Sequence, residues 1–458
     1  MKLRSTALLL LLLLSWTAWL PAAETQLRVG TFDVDASPPV GSLLAYDPVK
    51  DIQSPLSCRG IVILGADDPI VLCAIDWLGV SNDGQRVFKE KLAQAAGTTP
   101  ERVAVHAIHQ HDAPRCDFSV ETILAQAGVG GGQFDPNFAR VVIQNAADAV
   151  REATKSATPV DSIGLGEGII EKVASNRRVL GPDGKVQYTR YTATKDPVVR
   201  AKPVGTIDPA VKLITFFKGD EPVAVLTYYA THPQSYYRTG LANPDFPGMA
   251  RNARQDETSV PHIHFNGAGG NIGAGKWNDG SKENRQILAD RVEAGMKSAW
   301  ETMKRQPISA DDVSWATEPV LLPLADHLVE ENLQKIVHDP ESTPLDRHHA
   351  AKHLAWMWRC QAGDTIDIGC LTLKNARVLH MPGELFVEYQ LAAQKMRTDL
   401  FVAMAAYGEY APGYICTEIA YSQGGYESSD RASRVSPAVE KVLMDAMAQL
   451  LESSNVKE

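Results

Sequence analysis

In the stretch HAIHQHDAP, residues 106–114, three histidines fall within six positions and an aspartate follows soon after. The chain holds 12 histidines in 458 residues, so this concentration points to chemistry more than to packing. The run ahead of His109 is β-rich and reads as a strand ending near that residue. In an extended chain, residues two apart face the same way, so His109 and His111 point together at one site while His106 points elsewhere. Neutral imidazole is a good zinc ligand, and an HxH pair at a strand end is one way to seat a metal. Further ligands must come from other segments. His232 closes the strand-like run AVLTYYATH, which Pro233 stops. Glu384 lies just past another, RVLHMPGEL, in a Pro-Gly turn that exposes its carboxylate. Taken singly, His232 also reads as a hydrogen-bonded strand-end residue, and Glu384 as an acid well placed at a helix start.

The elements that must position these residues show in the pattern. RGIVILGADDPIVLCAIDW and KLITFFKGDEPVAVLTYYATH each hold two β-branched or aromatic runs split by Gly, Asp and Pro. Each second run leads to a polar residue, Asp76 in one and His232 in the other, and the two hairpins read as a repeated element. Helical patterns cover Asp83 to Ala96, Asn137 to Ser156, Glu283 to Lys304 and Pro437 to Glu452. EENLQKIVHD and DRHHAAKHLAWMWRC add helices in a region without a chemical motif. Strands and helices mix without strict βαβ alternation. The fold class is therefore α/β (α+β), with mixed parallel and antiparallel sheets flanked by helices.

The first 23 residues read as a signal peptide: Lys2 and Arg4, an apolar run, then small residues around Ala22 and Ala23. The protein is expected to be exported, periplasmic or secreted, with no stable membrane anchor after cleavage. Its formal charge of −10 becomes two units more negative without the leader, and no basic run argues for nucleic acid as a partner. Six cysteines in an exported chain suggest disulfides, with Cys360–Cys370 the first candidate and Cys58–Cys73 the second. No CxxC occurs, so thiol-redox chemistry and a cysteine zinc site find no support.

Together the motifs resemble those of the neutral (alkaline, non-lysosomal) ceramidases. HQHDAP is similar to the family's His-x-His-Ser-Gly-Pro segment, YYATHPQS to its second histidine motif, NRR at 176–178 to its Asn-Arg-Ser, and MPGE to its Pro-Gly-Glu. GYICTEIAYSQGGYE follows its Tyr-x-x-Thr-x-x-x-Tyr-x-x-x-x-Tyr-Glu pattern without a gap. The resemblance implies a catalytic domain with the neutral ceramidase fold, expected over 24–458; the family's C-terminal immunoglobulin-like domain is expected to be missing, which is a departure. It implies a Zn2+ site made by His109, His232, Glu384 and Tyr414. His111, Arg177 and Tyr426 would then face the substrate carbonyl as the catalytic groups.

One segment departs from the family. Its Gly-Asp-x-Ser-Pro-Asn motif supplies a serine for amide hydrolysis; here the segment reads GGNIGAGKWNDG. By position the aspartate becomes Asn271 and the serine Gly273, and no hydroxyl lies between Gly267 and Asp279. Gly270, Asn271, Gly273 and Lys276 read instead either as a loop whose backbone N–H groups meet a substrate or anion, or as a tight structural turn. The expectation is an exported zinc hydrolase that cleaves an amide or other C–N or C–O bond through a zinc-activated water, and not a true ceramidase. The substrate would be a small molecule or one derived from a sugar or lipid. The alternatives are a metal-dependent carbohydrate lyase or glycosidase on this scaffold, with Trp277, Tyr236 and Tyr237 against a sugar, or a non-catalytic ligand-binding relative.

Overall fold

Side chains alternate between two cores along the first hairpin. Ile61, Ile63, Ile70 and Leu72 pack into one, and Val62, Leu64, Val71 and Cys73 into the other. Residues two apart on a strand share a face, so a hairpin covered on both sides reads as continuous apolar runs. In the computed structural model, which describes residues 26–452 apart from 66 and 131–132, this hairpin belongs to one of three units of the same topology. The expected leader, 1–23, lies outside the described residues.

In the first unit β1 (Arg28–Asp35) pairs antiparallel with β2 (Ser57–Gly65), which turns into β3 (Asp67–Ile75). Helix α1 (Asp83–Ala96) crosses over to β4 (Val103–Ala107), which is parallel to β3, and α2 (Pro136–Lys155) packs back on β1. The second unit repeats this order. It comprises β5 (Ser162–Ile169), the hairpin β6 (Ala210–Lys218) and β7 (Glu221–Tyr229), crossover helix α3 (Asp245–Thr258), parallel β8 (His262–Asn266) and α4 (Lys282–Thr302). The third unit has β9 (Val313–Val320), then α5 (Pro344–Ala362), the hairpin β10 (Ile366–Leu373) and β11 (Ala376–His380), crossover helix α6 (Val387–Met396), parallel β12 (Phe401–Ala405) and α7 (Val439–Glu452). Short strands at Thr158–Pro159 and Lys304–Pro307 extend the first two sheets beside β1 and β5.

One face of each sheet contributes to a single core: Ile61, Ile63 and Leu72 from the first, Ile214, Leu226 and Phe265 from the second, Leu371, Val378 and Ala403 from the third. The helices cover the outer faces. The fold is thus mixed α/β as expected, both expected hairpins form, and the third unit extends the repeat. The four long helices fall within two residues of their expected bounds. The two disulfide expectations are corrected, because all six cysteines are free thiols. Gly60 stands opposite Cys73, so Cys58 sits diagonally from it, and the sulfurs are 3.5 Å apart against about 2 Å for a bond. Cys360 ends α5, while Cys370 is sealed within β10.

Each unit places a polar residue just beyond the second strand of its hairpin: Asp76, His232 and Glu384. In the first unit this residue is structural. Asp76 accepts two bonds from Arg251, at 2.6 and 2.9 Å, and both side chains are fully buried. Ser57 donates to the same carboxylate from its backbone N and its hydroxyl. Removing one partner leaves a buried charge alone, which costs about 3–5 kcal/mol. Asp76→Ala is therefore expected to lower unfolding free energy by that order in urea titration. A loss within experimental error of zero would show that the pair does not hold the first and second units together.

Candidate metal centre

The loops after β4, β7 and β11 converge. His109 lies beyond the end of β4, at a φ of +61°, so the two-residue alternation of a strand is not what orients it. It is a non-glycine residue in the left-handed region, a conformation that persists only where its surroundings impose it. Here its N–H donates to Trp77 O at 3.0 Å and its Nδ1 to Leu78 O at 2.7 Å. His111 Nδ1 donates to Pro233 O at 3.1 Å. Both carbonyls fix the proton on Nδ1 and leave Nε2 for the site. His106 does face away: its Nδ1 donates to Ala406 O at 2.7 Å and its Nε2 meets His380 Nδ1 at 3.0 Å.

The donor atoms of His109, His111 and His232 lie within 4.8 Å of one another, all buried. His232 Nε2 is 3.3 Å from His111 Nε2. Glu384 Oε2 is 3.3 Å from His109 Nε2 and 3.8 Å from His232 Nδ1. These last three atoms are fully buried and have no hydrogen-bond partner. Orphaned buried polar atoms are rare because each one costs its desolvation. A cation supplies the partner they lack, so the residues present fit a metal ion, and a set of imidazoles with a carboxylate suits zinc. His111 belongs to the same cluster, which leaves it as close to a ligand position as to a catalytic one.

Three tyrosines from one loop surround the cluster. Tyr407 stacks on His109 at 4.7 Å, Tyr410 donates to Glu384 Oε1 at 2.8 Å, and Tyr414 lies parallel to His232 at 6.3 Å. Burial alone raises the Glu384 carboxyl, but His109 and the hydroxyls of Tyr410 and Tyr414 outweigh it and hold the carboxyl at about 2. Burial pushes the Tyr414 phenol well above its ordinary range despite Arg177, so without a cation beside it Tyr414 is neutral.

Arg177 enters from the segment between β5 and β6. Its Nη1 donates to Tyr414 OH at 2.9 Å, and its guanidinium lies 5.9 Å from the Tyr426 ring. Adjacent arginines on an extended run should point to opposite sides, but Arg177 and Arg178 converge. Arg177 Nε is 3.2 Å from Glu427 Oε1, and Arg178 Nη1 is 3.3 Å from Glu427 Oε2. A single buried carboxylate holds both, one on each oxygen. Arg178 then turns outward to the Ala420 carbonyl.

The glycine segment differs from the expected anion loop. Gly270 donates its N–H to Leu385 O, and Ala268 donates to Gln390 Oε1. Asn271 donates to Glu388 Oε2 at 2.8 Å and accepts from Val387 N, so its amide holds α6. Lys276 Nζ is used by the carbonyls of Arg200 and Lys202. These donors are taken up inside the protein. The glycines instead allow close approach: a Cβ on Gly270 would meet Glu384 O at 2.1 Å, and one on Gly269 would meet Thr231 O at 2.3 Å. The loop is therefore wedged between the two segments that carry His232 and Glu384. Gly273 alone among them faces space, its Cβ direction 3.6 Å from Arg177 and 4.0 Å from His232.

Of the aromatics considered for a sugar, Tyr237 lies 5.9 Å from His111 and packs against Tyr46. Tyr236 lies under Arg285, and Trp277 donates to Ala174 O, both away from the cluster. Sequence reasoning missed Tyr407, Tyr410, Glu427 and Tyr46. The spacing of Tyr407, Tyr410 and Tyr414 in YGEYAPGY offered a signal, whereas Tyr46 had none.

The contrast between the glycines can be measured. Gly270→Ala must displace backbone and is expected to lower Tm by many degrees, on the order of an overpacked core site at about 1–3 kcal/mol or more. Gly273→Ser should melt within a degree or two of wild type, because ordinary contact distances surround its Cβ. Equal effects in a thermal melt would contradict the assignment of the open position.

No protein-family model and no curated protein matches the chain. Solved structures do. Neutral ceramidase from Pseudomonas aeruginosa superposes with a TM-score of 0.67 at 15% identity, covering 94% of this chain and 75% of that one. A ceramidase complexed with C2 gives 0.65 at 15% identity, covering 95% and 76%. Over nearly its whole described length, this chain has the fold of the neutral ceramidases.

Proposed function

We propose that the protein is an exported zinc-dependent hydrolase that cleaves an amide, or another C–N or C–O bond, in a small substrate, and that it is not a ceramidase. The observation that carries this reading is the set of three buried, unpartnered atoms on His109, His232 and Glu384 beside the open position at Gly273. A likeness to ceramidases supports amide hydrolysis as the reaction type, and the missing hydroxyl at 273 argues against their substrate.

Zinc, when bound, polarises a carbonyl and lets water act as a nucleophile near neutral pH. His109, His232 and Glu384 would hold it, with Tyr414 as a fourth ligand. His111 keeps its Nδ1 proton on Pro233 O, so its Nε2, which faces His232 Nε2 at 3.3 Å, is the ring atom that would take a proton from water once His232 releases it. Arg177 and Tyr426 stand beside Tyr414 as donors to a developing oxyanion. A second reading, elimination or glycoside cleavage of a sugar, is favoured by the exposed Tyr237 and its partner Tyr46 against His111. Product analysis separates the two: carboxylate plus amine in one case, an unsaturated or reducing sugar in the other.

Elemental analysis is expected to find close to one zinc per chain, and His232→Ala to lose it; full occupancy in that variant refutes the ligand assignment. Fatty-acid release from ceramide at rates typical of enzymes, roughly one or more per second, would refute the proposed departure from ceramidase. Once a substrate is known, Arg177→Ala is expected to lower kcat by about a hundredfold, as loss of an oxyanion donor does. Arg178→Ala should leave kcat within a few-fold and show mainly in stability. Equal mild effects on turnover would remove Arg177 from the reaction.

A further inference from the structure

Three buried basic side chains, Arg115, Lys352 and Arg434, lie one side chain away from the centre, and none has a carboxylate within salt-bridge distance among the described residues; burial, then Arg434 and Arg115, push the Lys352 ammonium well below its ordinary range. The Arg115 guanidinium is 5.7 Å from the ring of Tyr46, which stacks on His111 at 6.2 Å. Lys352 Nζ is 4.7 Å from the ring of Tyr410, whose hydroxyl holds Glu384. Arg434 lies against Gly413, where a Cβ would meet its Nη1 at 1.9 Å, and Gly413 O accepts the Glu384 N–H at 2.8 Å. All three side chains are more than nine-tenths buried: Arg115 is 8% exposed, Lys352 6% and Arg434 7%. Each guanidinium makes one side-chain bond, Arg115 to Ala45 O and Arg434 to Ala432 O, and leaves its buried Nε without a partner.

Several other buried arginines are handled differently. Arg251, Arg177 and Arg178 have carboxylates, and Arg190 is wrapped by the carbonyls of Val199, Lys202, Pro203 and Asn176. Buried charges without such partners are expensive. Helix α5 adds His349 and His353 on the face that carries Lys352, their rings stacked at 6.4 Å. Burial, with Arg115, Lys352, Arg434 and Arg431, keeps His349 neutral, so an uncharged imidazole stands beside these side chains. Asp117 and then Glu384 act on Lys352, and Glu384 also acts on Arg434; a dication at the centre would take up the charge of Glu384. Tyr46, Tyr410, Tyr426 and His349 are each partly exposed, so the cluster reaches solvent.

We propose that Arg115, Lys352 and Arg434 seat an oxyanion, a carboxylate or sulfate, carried by the substrate next to the bond that is cleaved. This rests on the reading of the cluster as a catalytic metal site, but anion binding itself does not require that reading. The substrate class is thereby narrowed to acidic small molecules or acidic saccharides.

The test is thermal melting of the full chain in sodium sulfate, sodium acetate and sodium chloride at matched ionic strength. A saturable rise in Tm is expected at low millimolar sulfate or acetate and none with chloride, since a ligand that binds the folded state stabilises it by mass action. Which of the two salts acts tells the carboxylate from the sulfate. Lys352→Met and Arg434→Leu are expected to melt at least as high as wild type in chloride and to lose the response. Lys441→Met, at an exposed position, should keep it. His232→Ala should also keep it, which separates this proposal from the metal assignment. The proposal is overturned if sulfate and acetate behave as chloride does, or if both charge variants respond like wild type. It is overturned equally if only His232→Ala loses the response, because the anion would then sit on the metal.

Discussion

The last strands of the three units end against one another, and the centre depends on that junction. Ala107 N donates to Tyr407 O at 3.0 Å, Ala406 N to Asn266 O at 2.9 Å, and the Asn266 side chain to Ile108 O at 2.5 Å. A strand that stops inside a protein leaves backbone groups needing partners. Here each unit satisfies the next, with an asparagine amide closing the ring where a backbone donor is lacking. The consequence is geometric. The chain leaving β4 must turn at His109, the chain leaving β8 must become the glycine loop, and the chain leaving β12 must run into the tyrosines. Residues far apart in sequence thus share one small volume held by backbone bonds.

Much of this was legible before the fold was seen. Period-two runs ended by Gly, Asp and Pro identify hairpins because those residues have a local physical role, and β2–β3 and β6–β7 form as read. Asp76 and His232 stood out as polar ends to apolar strands, yet the sequence could not tell that one binds Arg251 while the other turns to the cluster. The difference lies in what α3 presents across the unit boundary. The third unit was not visible as a repeat because its hairpin turns at Lys374 and Asn375, without the Gly, Asp and Pro that mark the other two. Glycine spacing misled for a related reason. An anion nest and a wedged backbone need the same absence of Cβ, and only the neighbours, Thr231 O and Glu384 O, decide between them. Arg177 and Arg178 show the limit of alternation arguments, since Glu427 lies where both can reach it.

Division of labour follows from the topology. The loops after the hairpins and after the parallel strands carry the groups that hold the centre. The segments between the first and second strands, 36–56, 170–209 and 321–365, bring in Tyr46, Arg177 and Lys352 from outside. Such segments vary more freely than the frame because they bear little of its backbone pairing. A scaffold built this way can keep the placement of His109, His232 and Glu384 while the side chains around them change.

Gly273 shows how far that separation goes. Its neighbours Gly269 and Gly270 cannot carry a side chain without moving the segments that hold His232 and Glu384. Gly273 sits at ordinary contact distance from Arg177 and His232 and has no such constraint. Packing therefore does not require glycine there, and the residue type at 273 is free to follow the chemistry. A hydroxyl at that point would stand beside Arg177 and the cluster, and its absence leaves His109, His232 and Glu384 in place. The frame that positions His109, His232 and Glu384 and the residue type at 273 are thus separately adjustable, so the ceramidase fold is compatible with glycine at that point.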